Sequence, residues 1–485
     1  MPPRNISGRT PAEVIALLAR TTDPERRLSV EQQLFPDLVN LGTAENVLLF
    51  QQMNDKVFSR LRGLTEQDLR YSVPIYGTET MREDIAELLR PQFGADLGRD
   101  DLFGTSGVSA ALECLAFALK KTGTLAEGDR VLLPAPFWQG FKWCFEQRPG
   151  LECIPAYLGT DFELTLDVLQ QAYYWPRPQE RPKLLVLTNP NNPLGVNYDK
   201  DVLEKIYTWA LTQTDMHIIS DEMYAHSQIQ TSQRPFVSAF ALDAYRDNPA
   251  ARDRVHVVWG FAKDFGLSGF KAGVAITRNS AVKDVLNGTD GEPYSWFSPF
   301  DSLKHYVIGS LLETQDTGRS FAAELMDEYR TILTGAFDSA RTALDEAKNI
   351  PYVFREEQNS AQFFWLDLRE YLRQDVQEIP YERGPHFPYN GHTYNGGAHD
   401  GNGNAGGESR RPGDLRLPVL FSGIGSAESE LFQYIKDHAG VQLLPGRTLS
   451  AHDQGYFRLC FTAFEEQTIR EAIQRISQAL ADRSH

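Results

Sequence analysis

The sequence predicts an α/β protein built on a mostly parallel central sheet flanked by helices, with a smaller α+β region after it. The first observation is a set of short, nearly continuous apolar runs, each ended by proline, glycine or aspartate. Such runs are typical of strands buried on both faces of a parallel sheet. The second observation is that helix-like stretches long enough to be crossovers lie between the runs. The runs are 130–136, 183–190, 216–224 and 254–260, and the stretches are 109–121 and 199–214.

The rest of the chain predicts a second, smaller domain. Two long helical patterns there enclose two strand-like runs, which is the composition of an α+β unit. These patterns are 319–349 and 468–483, and the runs are 361–368 and 456–463. A chain of 485 residues also exceeds what one hydrophobic core usually organises. The expected parts are an N-terminal arm or part of the small domain at 1–60, a large domain at 61–320 and a small C-terminal domain at 321–485.

Residues 380–416 interrupt the predicted small domain with a glycine-rich insertion. This 37-residue span holds 9 of the 37 glycines, where uniform spacing would give about three. One interpretation is a surface loop without regular structure. The other is a lid whose tyrosines, histidines, Arg410 and Arg411 close on a substrate. The sequence leaves both open.

Charge and cysteine content exclude several classes of function. The 48 Lys and Arg against 65 Asp and Glu give a formal net charge of −17, which opposes long-range attraction to nucleic acid or an anionic membrane. Four scattered cysteines without a C-x-x-C pair predict no disulfide framework. Neither a secretory signal nor an apolar stretch of roughly 18 residues is evident, and no metal-ligand spacing is convincing. We expect a cytoplasmic protein that binds no metal, nucleic acid or membrane.

Two motifs follow predicted strands at their C-terminal ends, which is where α/β sheets bind ligands. The loop TNPNNPLG at 188–195 points amide side chains, including Asn192, away from a strand end. The motif SDEMY at 220–224 places Asp221 at the next strand end and Tyr224 three residues later. A buried carboxylate at that place needs a cationic partner.

Two further motifs carry cations. Lys263 follows a third predicted strand, and Lys271 lies eight residues later in WGFAKDFGLSGFKAG. A lysine beside a pocket becomes a nucleophilic amine if desolvation or a neighbouring cation lowers its pKa. Arg458 lies inside the apolar run GYFRLCF, which favours a buried carboxylate partner or ligand. Taken singly, Lys263 could be a solvated lysine, Asp221 a helix or turn cap, and Arg458 half of an internal salt bridge.

In this order the motifs resemble the fold-type-I pyridoxal 5'-phosphate (PLP) enzymes related to aspartate aminotransferase. Within that group the sequence is most similar to the 1-aminocyclopropane-1-carboxylate (ACC) synthases and ACC-synthase-like enzymes. Besides the motifs above, the resemblance rests on NLGTAENVLL (40–49), YGTETMREDIAELL (76–89), SGVSAALECLAFAL (106–119), DRVLLPAPFWQGFKW (129–143) and LLPGRTLSAHDQGYFRLCFT (443–462). It implies the fold-type-I PLP-transferase fold and a homodimer with the active site at the subunit interface.

The resemblance also assigns roles to individual residues. Lys263 would bind PLP covalently and then act as the general base that removes the substrate α-proton. Asp221 would keep the pyridine nitrogen protonated, and Arg458 would bind the substrate α-carboxylate. The remaining cofactor contacts would be Asn192 and Tyr224 to the ring O3′, Trp138 on the ring face, Gly107, Val108 and Ser109 around the phosphate, and Lys271 as its cation.

Three departures from the family pattern affect cofactor and catalysis. The phosphate cation is usually arginine, and Lys271 cannot supply a planar bidentate fork. Gly260 replaces the family's serine three residues before the lysine, and Ala262 directly precedes Lys263, so phosphate binding loses at least one hydroxyl. Ile75 occupies the position of the family's tyrosine. Tyr76, one residue later, is therefore expected to act in catalysis only if its loop is shifted.

Glu45 matches the position at which ACC synthases place a carboxylate near the sulfonium of S-adenosylmethionine. A sulfonium in a partly dehydrated pocket favours an anion beside it, although Glu45 could instead flank a helix that begins near Asn46. We therefore predict α-deprotonation and γ-elimination from S-adenosylmethionine or a similar amino acid. Either γ-replacement or annulation with a second small molecule, such as a nucleotide, or ACC-type ring closure would follow. Alternatives are a class I/II aminotransferase, a PLP-dependent C–S lyase and a non-catalytic effector-binding homologue.

Overall fold

A computed structural model of the chain describes residues 37–57, 74–94, 96–288, 300–353, 358–373 and 427–483. The strands in these ranges are β1 (Val39–Asn40), β2 (Leu102–Thr105), β3 (Arg130–Ala135), β4 (Glu152–Tyr157), β5 (Leu184–Thr188), β6 (His217–Asp221), β7 (Val255–Gly260), β8 (Gly273–Thr277), β9 (Tyr352–Val353), β10 (Phe363–Asp367), β11 (Val441–Gln442), β12 (Leu444–Pro445) and β13 (Tyr456–Cys460). The α-helices are α1 (Phe50–Gln52), α2 (Glu79–Phe93), α3 (Val108–Lys121), α4 (Gly140–Lys142), α5 (Leu166–Tyr174), α6 (Lys200–Gln213), α7 (Asp243–Arg246), α8 (Phe261–Asp264), α9 (Ser280–Asn287), α10 (Ser302–Leu312), α11 (Phe321–Ala347), α12 (Ala427–Ala439) and α13 (Glu466–Arg483).

The central sheet has seven strands in the order β2-β8-β7-β6-β5-β3-β4. All of them run parallel except β8, which is antiparallel to both neighbours. The four predicted apolar runs form β3, β5, β6 and β7. The last three are buried along their whole length, as expected for strands covered on both faces. The predicted mostly parallel α/β architecture is confirmed.

Three strands of this sheet have no counterpart among the predicted apolar runs. β4 lies at the sheet edge and has exposed residues at both ends, so its sequence shows no continuous apolar run. β2 and β8 are short and contain glycines at which the backbone approaches another segment. A Cβ added to Gly273 in β8 would lie 2.9 Å from the backbone nitrogen of Val108. These glycines serve close packing and weaken the strand signal of the sequence.

The predicted helices appear with small shifts at their ends. The stretch 199–214 forms α6, and the side chain of Asp199 caps it by accepting a hydrogen bond from the backbone N–H of Asp201 at 2.8 Å. The pattern 319–349 forms α11, which begins after Ser320. The Ser320 hydroxyl accepts from the N–H of Ala323 at 3.2 Å. The predicted border between the large and small domains at 320/321 stays a prediction.

A smaller antiparallel sheet has the order β12-β13-β10-β9. The predicted strand runs at 361–368 and 456–463 form its two central strands, β10 and β13. Their register pairs Trp365 with Arg458. The predicted C-terminal helix forms α13, which packs against α11. This confirms a smaller α+β unit after the central sheet.

Residues 41–47, called here the N-terminal segment, run along β13 of the small sheet. The N–H of Cys460 donates to the carbonyl of Leu41 at 2.8 Å, and the N–H of Val47 donates to the carbonyl of Thr462 at 3.0 Å. Just before it, β1 pairs in parallel with β11. The described part of the chain therefore begins beside the small sheet.

Several predicted features lie outside the described residues. One is the whole glycine-rich insertion at 380–416, with Arg410 and Arg411. The others are residues 1–36 of the predicted arm and the predicted border at 60/61. Within the described ranges the four cysteines are buried and free. In the same ranges, no helix combines the length and apolarity needed to cross a membrane. No His, Cys, Asp or Glu cluster suited to a metal ion occurs in the part of the chain that the structure describes.

Candidate active site

Three neighbouring parallel strands end at one edge of the central sheet. β5 ends at Thr188, β6 at Asp221 and β7 at Gly260. Thr188 is in register with Asp221, and Asp221 with Val258. The motifs that follow these strands, with Asn192, Asp221 and Lys263, therefore start from the same edge, as the sequence predicts.

Asp221 is a buried carboxylate without a cationic partner among the described residues. Its side chain is 5% exposed and accepts a hydrogen bond from the backbone N–H of Met223 at 3.3 Å. Burial raises the pKa of Asp221 to about 7, and the Met223 N–H opposes this rise. A cation brought to this carboxylate would stabilise its ionised form. Capping of a turn accounts for one of its oxygens and leaves the need for a cation.

Arg458 is buried and points at the strand-end loops. Its Nη1 donates to Oδ1 of Asn192 at 2.5 Å and its Nη2 to the carbonyl of Gly42 at 2.7 Å. Its guanidinium carbon lies 4.4 Å from the ring centroid of Phe363. Within the described residues no carboxylate pairs with Arg458, and its Nε is buried without a hydrogen-bond partner. The arrangement favours an external carboxylate over an internal salt bridge.

Two aromatic side chains predicted to contact the cofactor ring lie in loops beside this edge. Tyr224 is buried, and its ring centroid lies 5.3 Å from that of Phe363. Trp138 is half-buried, with its ring edge-on to Phe141 at 5.5 Å. A Cβ on Gly140 would lie 2.1 Å from the Trp138 ring, so glycine at 140 is what lets the indole lie against the backbone. Their contacts with a cofactor stay predictions.

Lys263 lies in the short helix α8, directly after β7, and is half-buried. Its Nζ donates to the carbonyl oxygen of Ala44 and lies 3.4 Å from Oγ of Ser268. Burial lowers the pKa of Lys263 to about 8; the negative charge of Glu45 opposes this, and Arg458 and Lys271 contribute to it. Its free-amine fraction at neutral pH therefore exceeds that of an ordinary lysine. This environment is not that of a solvated surface lysine.

The N-terminal segment brings Lys263 and Arg458 into one site. Its Gly42 carbonyl accepts from Arg458, its Ala44 carbonyl accepts from the Lys263 amine, and Nδ2 of Asn46 donates to the Lys263 carbonyl at 2.8 Å. The segment is itself held by the small domain, because Oγ1 of Thr462 donates to the Glu45 carbonyl at 2.6 Å. One stretch of chain thus contacts both predicted catalytic and substrate-binding cations.

A turn suited to a phosphate lies at the start of α3. Gly107 precedes this 14-residue helix with φ +89°, in a conformation that glycine adopts readily. The first backbone N–H groups of a helix have no partner within it and attract anions. Ser109 and Lys271 are exposed, and a Cβ on Gly107 would lie 3.6 Å from Cα of Lys271. The predicted glycine, Val108, hydroxyl and cation are therefore neighbours.

Glu45 is half-buried and lines a cavity of about 860 Å³. The lining is largely apolar and includes Phe50, Phe265 and Phe464. Its charged residues are Glu45 and Glu465, and it contains no lysine or arginine among the described residues. The neighbouring helix α1 begins only at Phe50, so Glu45 does not cap it. A cavity with this lining suits a ligand that is apolar and cationic.

Tyr76 makes its contacts elsewhere. Its hydroxyl donates to Oδ1 of Asn287 at 2.6 Å, its ring centroid lies 5.1 Å from that of Phe103, and the guanidinium carbon of Arg82 lies 5.1 Å from the ring. None of these partners contacts Lys263 or Arg458. The structure of one chain does not bring Tyr76 to the cluster, and its catalytic role stays a prediction.

Four polar residues at the site were not predicted from the sequence. Asn46 and Gln362 both donate to the carbonyl of Lys263, at 2.8 and 3.0 Å. Ser268 lies beside the Lys263 amine, and Asp264 is fully buried next to it. Gln362 does give a sequence signal, since it is the one polar residue besides Asp367 in the apolar run AQFFWLDL. The other three lie in motifs whose lysine and glutamate attract attention first.

The described residues fit PLP in charge and shape. The buried Asp221 without a cation suits a protonated pyridine nitrogen. The glycine turn at α3 with Lys271 suits a phosphate, and Lys263 offers an amine whose pKa is lowered. Among the described residues, Arg458 has no carboxylate partner and suits the α-carboxylate of an amino acid. The four groups are those that an amino acid and PLP require together.

Comparisons with known proteins give one family and one fold. The family model described as "Aminotransferase class I and II" matches residues 36–476. The chain is 26% identical over 467 residues to 1-aminocyclopropane-1-carboxylate synthase 1 of Oryza sativa subsp. indica, covering 90% of this chain and 80% of that protein. It is 24% identical over 462 residues to 1-aminocyclopropane-1-carboxylate synthase 4 of Arabidopsis thaliana, covering 92% and 83%.

Two solved structures illustrate the shared fold. The aromatic aminotransferase of Pyrococcus horikoshii superposes with a TM-score of 0.65 at 19% sequence identity, covering 94% of this chain and 98% of that one. The aspartate aminotransferase of Rhizobium meliloti superposes with a TM-score of 0.62 at 17% identity, covering 99% of each chain. At these identities the likeness concerns the fold.

Proposed function

The chain belongs to the class I and II aminotransferase family and is a PLP-dependent enzyme, and from this premise we propose that its amino-acid substrate is S-adenosylmethionine. The observation that carries the proposal is the position of Glu45. This carboxylate lies close enough to Lys263 to influence its pKa, and it also lines the large apolar cavity. A sulfonium there would have an anion beside it and apolar surface around its adenosyl group.

The chain's own residues account for the remaining steps of the proposed reaction. PLP supplies, when bound, a carbonyl that reacts with amines and a ring that accepts electrons. Arg458 would hold the substrate α-carboxylate, and Asp221 would hold the cationic ring nitrogen. Lys263 would take the α-proton on Nζ, since its lowered pKa places it near the range that favours a general base. The γ carbon–sulfur bond then breaks, and methylthioadenosine leaves with the bonding electron pair.

We further propose that the remaining four-carbon unit is captured by a second small molecule, in γ-replacement or annulation, with ACC-type ring closure as the intramolecular form. The cavity's two carboxylates and the absence of lysine and arginine from its described lining favour a neutral or cationic nucleophile. A nucleotide as second substrate would need cations from elsewhere, such as Arg410 and Arg411, which lie outside the described residues. We also propose that the protein is a homodimer in the cytoplasm.

A second candidate function is transamination. The family description and the solved structures with this fold name aminotransferases, and Lys263, Asp221 and Arg458 would serve that reaction equally. Transamination would move the α-proton to the cofactor without breaking a bond at the γ carbon. Release of methylthioadenosine therefore distinguishes γ-elimination from transamination.

The test is to incubate the PLP-loaded enzyme with S-adenosylmethionine and to quantify methylthioadenosine. We expect its release by the wild type and none by Lys263→Ala. Glu45→Gln should raise KM about tenfold, since a charge pair is worth about 1.4 kcal/mol or more in such a site. Glu465→Gln changes the other carboxylate of the cavity and should leave KM within about twofold.

Each other outcome contradicts the proposal in a distinct way. A keto acid with aminated cofactor and no methylthioadenosine would establish the aminotransferase. Release of ammonia and a keto acid from a thioether amino acid would establish a C–S lyase. PLP binding without any turnover would favour an effector-binding homologue.

A further inference from the structure

The main-chain carbonyl of Lys263 receives side-chain amides from two distant parts of the chain. Nδ2 of Asn46 lies 2.8 Å from this oxygen and Nε2 of Gln362 lies 3.0 Å from it. The backbone N–H groups of Phe265 and Gly266 also donate to this oxygen, the latter at 3.4 Å. A carbonyl oxygen accepts and cannot donate, so both side chains must present their NH2 groups to it. The orientation of each amide is thereby fixed.

Gln362 is held in turn by a buried hydrogen-bond chain. Its Nε2 also lies 3.0 Å from the hydroxyl of Tyr329, which lies 3.0 Å from Oγ of Ser227. Oγ of Ser227 donates to Oδ1 of Asp264 at 2.7 Å. Gln362, Tyr329, Ser227 and Asp264 are each 0% exposed. Asp264 directly follows Lys263 in the sequence. The series of hydrogen bonds therefore connects the carbonyl of Lys263 with the side chain of the next residue.

The other oxygen of Asp264 is equally engaged. It accepts from Nε1 of Trp259 and from the backbone N–H of His226, each at 3.2 Å. Trp259 lies in β7, His226 follows β6, Tyr329 lies in α11 and Gln362 precedes β10. The chain of hydrogen bonds thus connects both sheets to the two residues at the end of α8. Such a connection resists rotation of this short helix.

Packing alone does not explain an amide at position 362. Oε1 of Gln362 is buried and has no hydrogen-bond partner among the described residues. A buried, unsatisfied acceptor is unfavourable, and methionine would fill similar space without it. What methionine cannot do is donate to the Lys263 carbonyl. Donation to the Lys263 carbonyl therefore explains why position 362 carries an amide.

We propose that Gln362 and Asn46 are positioning residues that hold the backbone of Lys263 and thereby aim its amine at the cofactor and substrate. The amine end is held by the Ala44 carbonyl and Ser268, and the carbonyl end by the two amides. Gln362 also adjoins Phe363, which pairs with Cys460 two residues after Arg458. The Gln362 amide therefore links the backbone of Lys263 to the strand pair that carries Arg458. It operates whichever reaction the enzyme performs.

The test compares Gln362→Met with Gln358→Met in the full-length enzyme. Gln358 is also buried and lies in the same loop, but its amide contacts Glu163 at 3.3 Å and does not contact Lys263. The first readout needs no turnover: PLP is added to the apoprotein, and the rate at which it bonds to Lys263 is followed by absorbance. Gln362→Met should slow this step and lower kcat about tenfold each, with KM within about twofold. Gln358→Met should change neither, and the Tm of each apoprotein is recorded as a check on folding.

The variants Gln362→Glu and Asn46→Asp test the donor directly. Each keeps the size of the side chain and replaces the amide by a carboxyl group that donates only when protonated. The titratable groups around these positions include Glu45, Lys263, Asp264 and Tyr329, all of which the wild type shares. The ratio of wild-type to variant kcat should therefore shrink as pH falls, whereas the ratio for Gln362→Met should stay constant. Asn46→Asp also keeps the acceptor for the Leu48 N–H at 3.1 Å, so it carries the test if a Gln362 variant fails to fold.

Three results would overturn the proposal. One is loading and turnover of folded Gln362→Met at wild-type rates. Another is an equal loss in Gln358→Met that follows Tm. The third is a wild-type to Gln362→Glu ratio that does not change with pH, which would reduce Gln362 to a packing role.

Discussion

Arg458 is buried inside a strand and has no carboxylate partner among the described residues. This combination is unusual for an arginine. Its two terminal nitrogens donate to Asn192 and Gly42. These neutral partners orient the guanidinium and leave its charge uncompensated. A buried charge without a partner destabilises the fold unless a ligand carboxylate compensates it. Arg458 therefore fits a functional role better than a structural one.

We expect Arg458→Lys to raise KM for the amino-acid substrate by roughly 10- to 100-fold, because a charge-assisted bidentate contact is worth about 1.5–3 kcal/mol. The change in kcat should be smaller. Steady-state kinetics on the loaded enzyme measure both. Arg447→Lys, at an exposed arginine of the same domain, is the control. An unchanged KM in Arg458→Lys would remove the residue from substrate binding.

Lys263 is expected to titrate far below an ordinary lysine. Burial lowers its pKa to about 8, against about 10.4 for a free side chain. Acylation of the apoprotein by limiting acetic anhydride should therefore show a reactivity midpoint near pH 8 at Lys263. Glu45 raises this pKa, so Glu45→Gln should move the midpoint lower. A midpoint near 10 in the wild type would contradict the buried environment.

At the level of single residues, the functional side chains that follow strand ends could be predicted from the sequence. Contacts between segments far apart in the sequence could not. Asp221 and Lys263 follow apolar runs and therefore stand out in the sequence. Asn46 contacts a residue 217 positions away, and no local pattern reveals such a pairing. Tyr76 shows the same limit in reverse, since its motif predicts a catalytic contact that one chain does not contain.

Among the elements, the junction of β8 with the start of α3 leaves no room for a side chain at Gly273. A Cβ on Gly273 would lie 2.9 Å from Val108 N and 2.9 Å from Gly107 C. Both are backbone atoms of the turn that suits the cofactor phosphate. A side chain there would displace the N–H groups that are predicted to bind the cofactor phosphate.

We expect Gly273→Ala to weaken PLP binding about tenfold or more, because overpacking of this kind costs about 1–3 kcal/mol. The Tm should fall by a few degrees. Equilibrium titration of the apoprotein with PLP and a thermal scan give the two values. Gly269→Ala is the matched control, since nothing lies within 4 Å of a Cβ at that position. Equal PLP affinity in the two variants would show that the turn tolerates displacement.

Element type was predictable where burial is uniform. The wholly buried β5, β6 and β7 read clearly as strands, and the capped helices α6 and α11 read clearly as helices. β2 and β8 were missed because their glycines are selected for close backbone contact, which propensity does not describe. The two-residue strands β1, β9, β11 and β12 are too short to leave any periodic pattern.

For the whole molecule, buried histidines far from the active-site edge contribute to the pH dependence of stability. His217 and His256 begin or adjoin the start of β6 and β7, and Nδ1 of His217 lies 3.1 Å from Nε2 of His256. Burial, with the Arg254 charge, lowers the pKa of His217 to about 4, against about 6.5 when unfolded. Between these values the unfolded chain binds more protons, so stability falls as pH falls from about 6.5 to 4.

We expect His217→Gln to lose less of its Tm over that interval than the wild type, by a few degrees. Calorimetric scans at several pH values measure the difference. Buried carboxyl groups such as Asp264, whose pKa burial raises to about 7, act with the opposite sign, but both proteins share them. His438→Gln, at an exposed histidine, should follow the wild type. Parallel curves for His217→Gln and wild type would contradict the prediction.

The overall architecture was largely predictable because two kinds of periodicity divide the chain. Continuous apolar runs mark the central sheet, and the later helical patterns mark the small unit. What joins them was not predictable in detail. The N-terminal segment holds its place through main-chain bonds to β13 and the residues after it, and main-chain bonding leaves no mark on side-chain choice.

That same segment dictates when a newly made chain can become an enzyme. Glu45 and Thr462, which hydrogen-bond to each other, are 417 residues apart. At about 5–20 residues per second, a ribosome needs roughly 20–80 seconds to synthesise the intervening chain. The central sheet can form in that time. The N-terminal segment that carries Asn46, however, has no β13 to bind until the last part of the chain is made. We therefore expect productive cofactor binding only after synthesis of the chain, since a chain that ends before β13 would carry Lys263 without the strand that holds the N-terminal segment.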